Sequence, residues 1–363
     1  MKKLIIAYFG TPYFSALFLE KLLTDTSINR LIEVKLVVTQ PDKPVGKKRL
    51  MTSSPVKETA KKFNIPVLDS LRSLEQYYSA SPETKFGINS VDKNIDLGFL
   101  FAYGGILPTN VLKLPKYGFW NTHPSLLPKY RGPSPIAYPL ILGDKKTGVT
   151  LIKLDEKIDH GPIIAQDKIK INSTDRRPDL EIKLTDLAFR LFKKTVCVFL
   201  QRPLSKHTLP YKTQNHTQAT FTRLLQKDDG FIPLSTLKKA LNNEPLTFSE
   251  LPKIIFEYIN KYNLIRNWKP VLREVEGLEI RNSSKIVYDY FRGLCPWPGI
   301  WTLVDIRGNQ SIIRGNPSVR THKRLKITGL NYAEGKLTIT KVQLEGKKEV
   351  DIKTFNKAYD LEI

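Results

Sequence analysis

Leu4-Ile5-Ile6-Ala7-Tyr8-Phe9-Gly10-Thr11-Pro12 is the stretch from which the fold is read. It is apolar from Leu4 to Phe9, breaks at Gly10-Thr11-Pro12 and passes into a helical pattern over residues 13–23. An apolar run of this length closed by a turn predicts a strand buried on both faces, and a helix straight after it predicts a βαβ unit. The pattern repeats outward. Residues 32–39 read as a second strand and 40–53 as a loop rich in Pro, Gly and Lys. Ser54-Pro55 supplies an N-cap and a first-turn proline for a helix reaching residue 63. Residues 96–102 predict a third strand, followed by Tyr103-Gly104-Gly105 and a helix from residue 108. Further strands are expected over 118–122, 148–154 and 162–171, with a helix over 135–142 and a long amphipathic helix over 179–200. This alternation implies an α/β domain over residues 1–201, built on a doubly wound, mostly parallel sheet. Ligands of such sheets sit beyond the carboxyl ends of the strands.

The composition then changes. Residues 202–220 hold two prolines, His207, His216 and many Thr and Gln, and read as a linker. Residues 221–363 are expected to form a second domain. Within it 233–263 are helical in pattern, inside an insertion over about 233–285. Short β-type runs at 300–306, 325–330 and 337–344, with Gly and Asn turns, predict a small C-terminal β-barrel of the OB-like kind.

Charge narrows the partners. The 363 residues include 58 Lys+Arg against 35 Asp+Glu, a formal net charge of +23, with 41% hydrophobic and 10% aromatic residues. That is enough apolar material to fold, so a disordered basic tail is excluded. The surplus is shared almost equally between residues 1–200 and 201–363, and points to a polyanionic partner; the alternative is a basic surface with none. Locally, residues 42–62 carry Lys43, Lys47, Lys48, Arg49, Lys57, Lys61 and Lys62 against Asp42 and Glu58 alone. Cys197 and Cys295 are the two cysteines, too few for a disulfide framework or a Cys-based zinc site. No stretch is long and apolar enough to cross a bilayer, and Met1-Lys2-Lys3 leads into a run too short for a secretory signal. A cytoplasmic monomer with no membrane contact is expected.

The chemistry concentrates in Asn121-Thr122-His123-Pro124-Ser125-Leu126-Leu127-Pro128-Lys129-Tyr130-Arg131-Gly132. Asn121 and His123 lie two apart at a strand end, so their side chains leave the same face. Asp155-Glu156-Lys157-Ile158-Asp159-His160-Gly161 forms an acidic loop between two strands that brings Asp159 back towards the same mouth. An Asn/His/Asp set without a nucleophilic Ser or Cys suits direct transfer of an acyl-type group to an amine. The amide and imidazole stabilise a tetrahedral oxyanion, and the carboxylate accepts the amine proton. Taken alone, Asn-x-His is also what a capped strand end carries, and Asp before Gly a turn. The remaining His residues have no metal-ligand spacing, so no metal is expected. Neither a Gly-x-Gly-x-x-Gly nor a phosphate loop is present, so no nucleotide cofactor is expected.

Residues 121–132 with Asp159-His160-Gly161 resemble the folate-dependent formyltransferases. The likeness extends to the branch of that family that formylates methionyl initiator tRNA. It is carried by Phe9-Gly10-Thr11-Pro12, Thr39-Gln40-Pro41-Asp42-Lys43-Pro44, Ser54-Pro55-Val56-Lys57, Ala102-Tyr103-Gly104 and Ile106-Leu107-Pro108. Lys227-Asp228-Asp229-Gly230, Pro296-Trp297-Pro298-Gly299 and residues 343–348 continue it. The resemblance implies 10-formyltetrahydrofolate as formyl donor and a charged initiator tRNA as acceptor. Asn121 would hold and polarise the formyl oxygen, and His123 would stabilise its developing charge. Asp159 would orient His123 and help take the amine proton. The pterin would lie against the main chain of Phe101, Ala102, Tyr103, Gly104, Ile106 and Leu107, with Ser125, Leu126, Leu127, Pro128 and Arg131 shaping the floor. Arg131 has an alternative role, pairing with a loop carboxylate. Lys43, Lys47, Lys48 and Arg49 would grip the acceptor stem, and Lys323, Arg324, Lys326, Lys347 and Lys348 the tRNA body. The chain departs from the family in the length of residues 231–295, and in having no Pro just before Ser54-Pro55. A formyltransferase acting on a sugar nucleotide or purine precursor, and a non-catalytic RNA-binding relative, remain open alternatives.

Overall fold

The computed structural model describes residues 3–46, 48–74, 94–201, 209–264, 279–307 and 320–359. They form two compact units. The first comprises Met1–Pro135, Lys146–Lys170 and Asp179–Arg223, the second Ile136–Lys145, Ile171–Pro178 and Leu224–Ile363.

The first unit is built on strands β1 (Leu4–Gly10), β2 (Ile32–Val38), β5 (Val67–Leu68), β6 (Leu97–Phe101), β7 (Phe119–His123), β8 (Lys146–Lys153) and β9 (Ile163–Lys170). They make one seven-stranded sheet in the order β5-β2-β1-β6-β7-β8-β9. β5, β2, β1, β6 and β7 run parallel, and β8 and β9 close the edge antiparallel. The α/β, mostly parallel sheet expected from the first βαβ pattern is therefore present. Strands buried on both faces need cover on both. On one face Tyr8, Phe99 and Trp120 meet helices Tyr13–Thr24 and Arg177–Leu200 through Phe18, Phe192 and Phe199. On the other, Phe9, Val38, Leu100 and Phe119 form a second apolar layer with Tyr103, Leu107 and Val111. Each of these fully buried aromatic side chains contributes ~1.5–3 kcal/mol.

Two local readings resolve in detail. Ser54 caps helix Pro55–Lys62, accepting from the Lys57 amide at 3.0 Å with Pro55 in the first turn. The Pro/Gly/Lys loop after β2 is a small antiparallel hairpin, β3 (Lys43–Val45) and β4 (Leu50–Thr52), turned by Gly46 at φ 73° and Arg49 at φ 49°. The helix expected from residue 108 is a single turn, Thr109–Leu112.

The second unit centres on helix Ser283–Leu294. It packs against Ala137–Ile141 and Leu234–Leu241, and against the sheet formed by β12 (Ile300–Arg307), β13 (Arg320–Ala333), β14 (Lys336–Leu344) and β15 (Glu349–Asp351). β10 (Leu246–Thr247) and β11 (Glu279–Ile280) form a separate short pair. Among the described residues, the part expected as a barrel is a four-stranded antiparallel sheet in sequential order. Buried Arg292 is satisfied on all sides, pairing with Asp289 and donating to the carbonyls of Asn172 at 3.0 Å and Asp175 at 2.8 Å. A buried cation needs such a complete shell.

Gly98 shows how tightly the sheet is packed. A Cβ there would sit 2.1 Å from the Phe119 ring, which is itself in the core. Gly98→Ala is expected to destabilise the chain by about 1–3 kcal/mol, read as a lower urea midpoint.

Candidate active site

β7 carries Phe119, Asn121 and His123 on the layer that holds Phe9 and Leu100. Phe119 is core, and the next two residues on that face reach the carboxyl end of the sheet. His123 is 4% exposed, and its Nε2 lies 2.8 Å from the Tyr130 carbonyl. A carbonyl only accepts, so Nε2 carries the proton and Nδ1 is the nitrogen turned to Asp159, 3.4 Å from Oδ1. The ring's main orienting bond is thus to Tyr130, with Asp159 on its other side.

Asp159 stands on the loop between β8 and β9 in a left-handed conformation, φ 49°. Its Oδ2 accepts from the Gly132 amide at 2.7 Å and its Oδ1 from Asn121 Nδ2 at 3.3 Å. The structure therefore brings Asn121, His123 and Asp159 together. Gly161 makes this return possible: a Cβ there would lie 1.8 Å from the Lys153 carbonyl oxygen.

The segment after β7 is held by side chains. Thr150 Oγ1 donates to the Ser125 carbonyl and accepts from the Leu127 amide and Gln166 Nε2. Ser125 is fully buried and donates to the Lys129 carbonyl, so it acts within the loop. Leu127 and Pro128 line a cavity of about 420 Å³ with Ile163, Gln166, Lys212 and Gln214. Leu126 is half-buried.

Arg131 departs from its expected place. It is 3% exposed and points neither at an open floor nor at a bonded carboxylate; its guanidinium donates to Gln214 Oε1 at 2.7 Å and His216 Nδ1 at 2.8 Å. Burial pulls its pKa below the ordinary value, opposed by the charges of Asp159 and Asp155. The stretch expected as a linker is, over residues 209–220, a strap in the first unit. Thr220 Oγ1 accepts from the Tyr130 amide, the Arg131 amide bonds the Thr220 carbonyl, and Lys212 and Ile163 exchange two main-chain bonds. Gln214 and Thr220 carried no sequence signal, since a polar, Thr-rich stretch reads as solvated until its partners are known.

The loop after β6 is also pinned. Ala102 and Gly104 are left-handed, at φ 55° and 80°, and Thr11 Oγ1 donates to the Tyr103 carbonyl at 2.7 Å. Phe101, Tyr103 and Leu107 are buried, and Ile106 is 73% exposed. Thr109 Oγ1 bonds Glu156 Oε1 at 3.1 Å, joining this loop to the one bearing Asp159, on which Ile158 is also exposed.

The basic run splits in two. Lys57, Lys61 and Lys62 are neutralised by Asp42, Glu58 and Glu20. Among the described residues, Lys43, Lys48 and Arg49 have no such partner and stand on an exposed hairpin with Val45, Leu50 and Met51. Lys47 lies outside the described residues. In the second unit Arg324 and Lys326 leave one face of β13, with Arg324 stacked 4.5 Å from the Trp301 ring. Lys323 is on the opposite face, in step with buried Leu325 and Ile327. Lys347 and Lys348 sit exposed in the turn after β14. Among the described residues no group of His, Cys, Asp or Glu is placed to hold a metal ion, and no helix is long and apolar enough to cross a membrane.

His216 offers a pH test. Its pKa is lowered by desolvation and by the neighbouring His160, which it stacks on at 4.0 Å, and Arg131, against the raising effect of Asp155. The folded chain thus resists a proton that the unfolded chain takes up below pH ~6.5. Stability present above that pH is lost as pH falls further. Melting temperature of the wild type should fall more steeply than that of His216→Gln between pH 7 and 5.

The chain is similar to known proteins along most of its length. A family model described as formyl transferase matches residues 2–196. A protein of Caldicellulosiruptor saccharolyticus named methionyl-tRNA formyltransferase is 30% identical, over 98% of this chain and 97% of its own. One of the same name from Staphylococcus aureus strain MW2 is 31% identical, over 95% and 93%. Among solved structures, a 4-N formyltransferase from Francisella tularensis aligns over 87% of this chain and 96% of its own, with 16% identity and a TM-score of 0.51, a likeness of fold.

Proposed function

The chain belongs to the formyl transferase family, and on that premise we propose that it transfers the formyl group of 10-formyltetrahydrofolate to the α-amine of methionyl initiator tRNA. The observation that carries the reading is the convergence of Asn121, His123 and Asp159 in a chain similar along nearly its whole length to relatives of that name.

The attacking amine nitrogen forms a bond to the formyl carbon, and the bond from that carbon to the folate N10 breaks. Asn121 Nδ2, already aimed into the site by Asp159, donates to the oxygen on which negative charge develops. The Nε2 proton of His123 is committed to Tyr130, so the ring meets the developing charge through Nδ1, the nitrogen it turns towards Asp159. Asp159 accepts the proton lost by the amine, through one water, and the same proton is returned through that water to N10 as it leaves, so the transfer consumes no net proton. The folate donor suits the paired loops: the main chain at partly exposed Ala102 and exposed Gly104 offers polar groups to a pterin, and exposed Ile106 and Ile158 offer apolar contact. The unpaired cations of the 43–52 hairpin supply phosphate contacts for the acceptor stem, and Arg324, Lys326, Lys347 and Lys348 those for the tRNA body. Charged initiator tRNA places the reaction in the cytoplasm.

The assay is formyl transfer to methionyl initiator tRNA, with uncharged tRNA and an amino-sugar nucleotide as controls. His123→Ala and Asp159→Asn should each lower kcat by ~10²–10⁴. Lys43→Ala/Lys48→Ala/Arg49→Ala should raise KM for the tRNA, flatten its dependence on salt and leave KM for the folate unchanged. Turnover of the sugar nucleotide with none of the tRNA would overturn the reading.

A further inference from the structure

Asp159 is asked to hold a carboxylate in place from a backbone conformation that non-glycine residues rarely adopt, φ 49°. Such a conformation persists only where its surroundings over-determine it. The side chain is fixed by Gly132 and Asn121. The main chain is fixed by one group from far along the sequence: Gln214 Nε2 donates to the Asp159 carbonyl at 2.9 Å and to the Gly161 carbonyl at 2.8 Å.

We propose that Gln214 is a positioning residue for Asp159, bracketing the loop by holding the carbonyls on either side of His160 so that the carboxylate stays on the reacting centre. The inference deepens the reading of Asp159 given above and rests on it. The amide is aimed as well as present. Arg131 donates to Oε1 at 2.7 Å, so the two Nε2 protons can only face the two carbonyls. Arg131 is itself held by His216 Nδ1 and enclosed, with Gln214 4% exposed beside it. A buried primary amide with its acceptor and both donors in use is a built feature. It also belongs to the strap, which other bonds keep in place. Lys212 and Ile163 exchange two main-chain bonds at 2.8 Å, and Arg131 bonds Thr220 and Thr222 through its own main chain at 2.8 and 2.7 Å. Removing the Gln214 amide therefore frees the Asp159 loop while the strap stays attached.

A residue that only stitched the strap down would alter stability, or both substrates' KM. A residue that positions Asp159 alters kcat through Asp159 alone. The full-length chain is tested as Gln214→Ala and Gln214→Glu, each alone and combined with Asp159→Asn, in single-turnover and steady-state formyl transfer to methionyl initiator tRNA. Gln214→Glu keeps the side-chain length and the contact with Arg131 but sets an acceptor against two carbonyls, so it reports the same loss if Gln214→Ala folds poorly. The expected result is a ~10–100-fold lower kcat for either variant, with both KM values within about threefold. In the Asp159→Asn background that loss should shrink to less than about threefold, because two residues acting as one unit are not additive. Wild-type kcat in both Gln214 variants, or an equal loss in both backgrounds, overturns the positioning role while Asp159→Asn stays impaired. Asp159→Asn at the wild-type rate overturns the reading of the site and this inference with it.

Discussion

The pleat of β7 is the constraint on which the site rests. Phe119, Asn121 and His123 leave one face of that strand and Trp120 leaves the other, against Phe199. Phe119 locks into the layer of Phe9 and Leu100, and Trp120 into the aromatic layer under helix Arg177–Leu200. A slip of one residue would turn Asn121 and His123 into the aromatic layer under helix Arg177–Leu200 and lift both rings out of theirs. The register that buries two large aromatic side chains is thus the register that presents the amide and the imidazole. Packing energy and chemical geometry are enforced by the same residues.

Around that strand the site is assembled from strained turns held by polar bonds. Ala102, Tyr130 and Asp159 are all left-handed without being glycine. Each is countered nearby: Thr11 on the Tyr103 carbonyl, Thr220 and His123 on the main chain of Tyr130, Gly132 on Asp159. All of these but the His123–Tyr130 bond join elements far apart in sequence, so the loops are positioned largely by the finished domain. A rigid sheet carrying loops fixed in this way gives directed donors little freedom to reorganise, which is what stabilising a transient oxyanion demands.

The sheet and the placing of Asn121 and His123 on one face of a strand end were legible because they follow short-range rules. Apolar runs closed by Gly-Thr-Pro, the Ser54-Pro55 cap and the Asn-x-His spacing depend on neighbours one to four residues away. What escaped depends on partners far along the chain. Gln214, in a stretch that reads as a linker, is buried by Arg131 and the Asp159 loop. Arg131 reads either as part of the site floor or as a structural partner of a loop carboxylate, and it is enclosed against Gln214 and His216, two residues far along the chain. The run of lysines after β2 looks uniform, yet its helical members are neutralised by Asp42, Glu58 and Glu20 while the hairpin keeps its charge. Lys323 and Arg324 are adjacent in sequence and lie on opposite faces of one strand. A charge count cannot separate these cases, because pairing and facing are properties of the folded backbone.

The two units are interleaved along the chain. Helix Ala137–Ile141, wholly buried, and residues 171–178 belong with helix Ser283–Leu294, which closes over them and satisfies Arg292 on their carbonyls. No single cut divides the molecule into its two units. As the chain leaves the ribosome, the apolar side of Ala137–Ile141 emerges long before the helix that covers it, and the strap bearing Gln214 follows the loop it holds. The order of synthesis therefore leaves an apolar patch on the nascent chain uncovered until the last third of the polypeptide has been made.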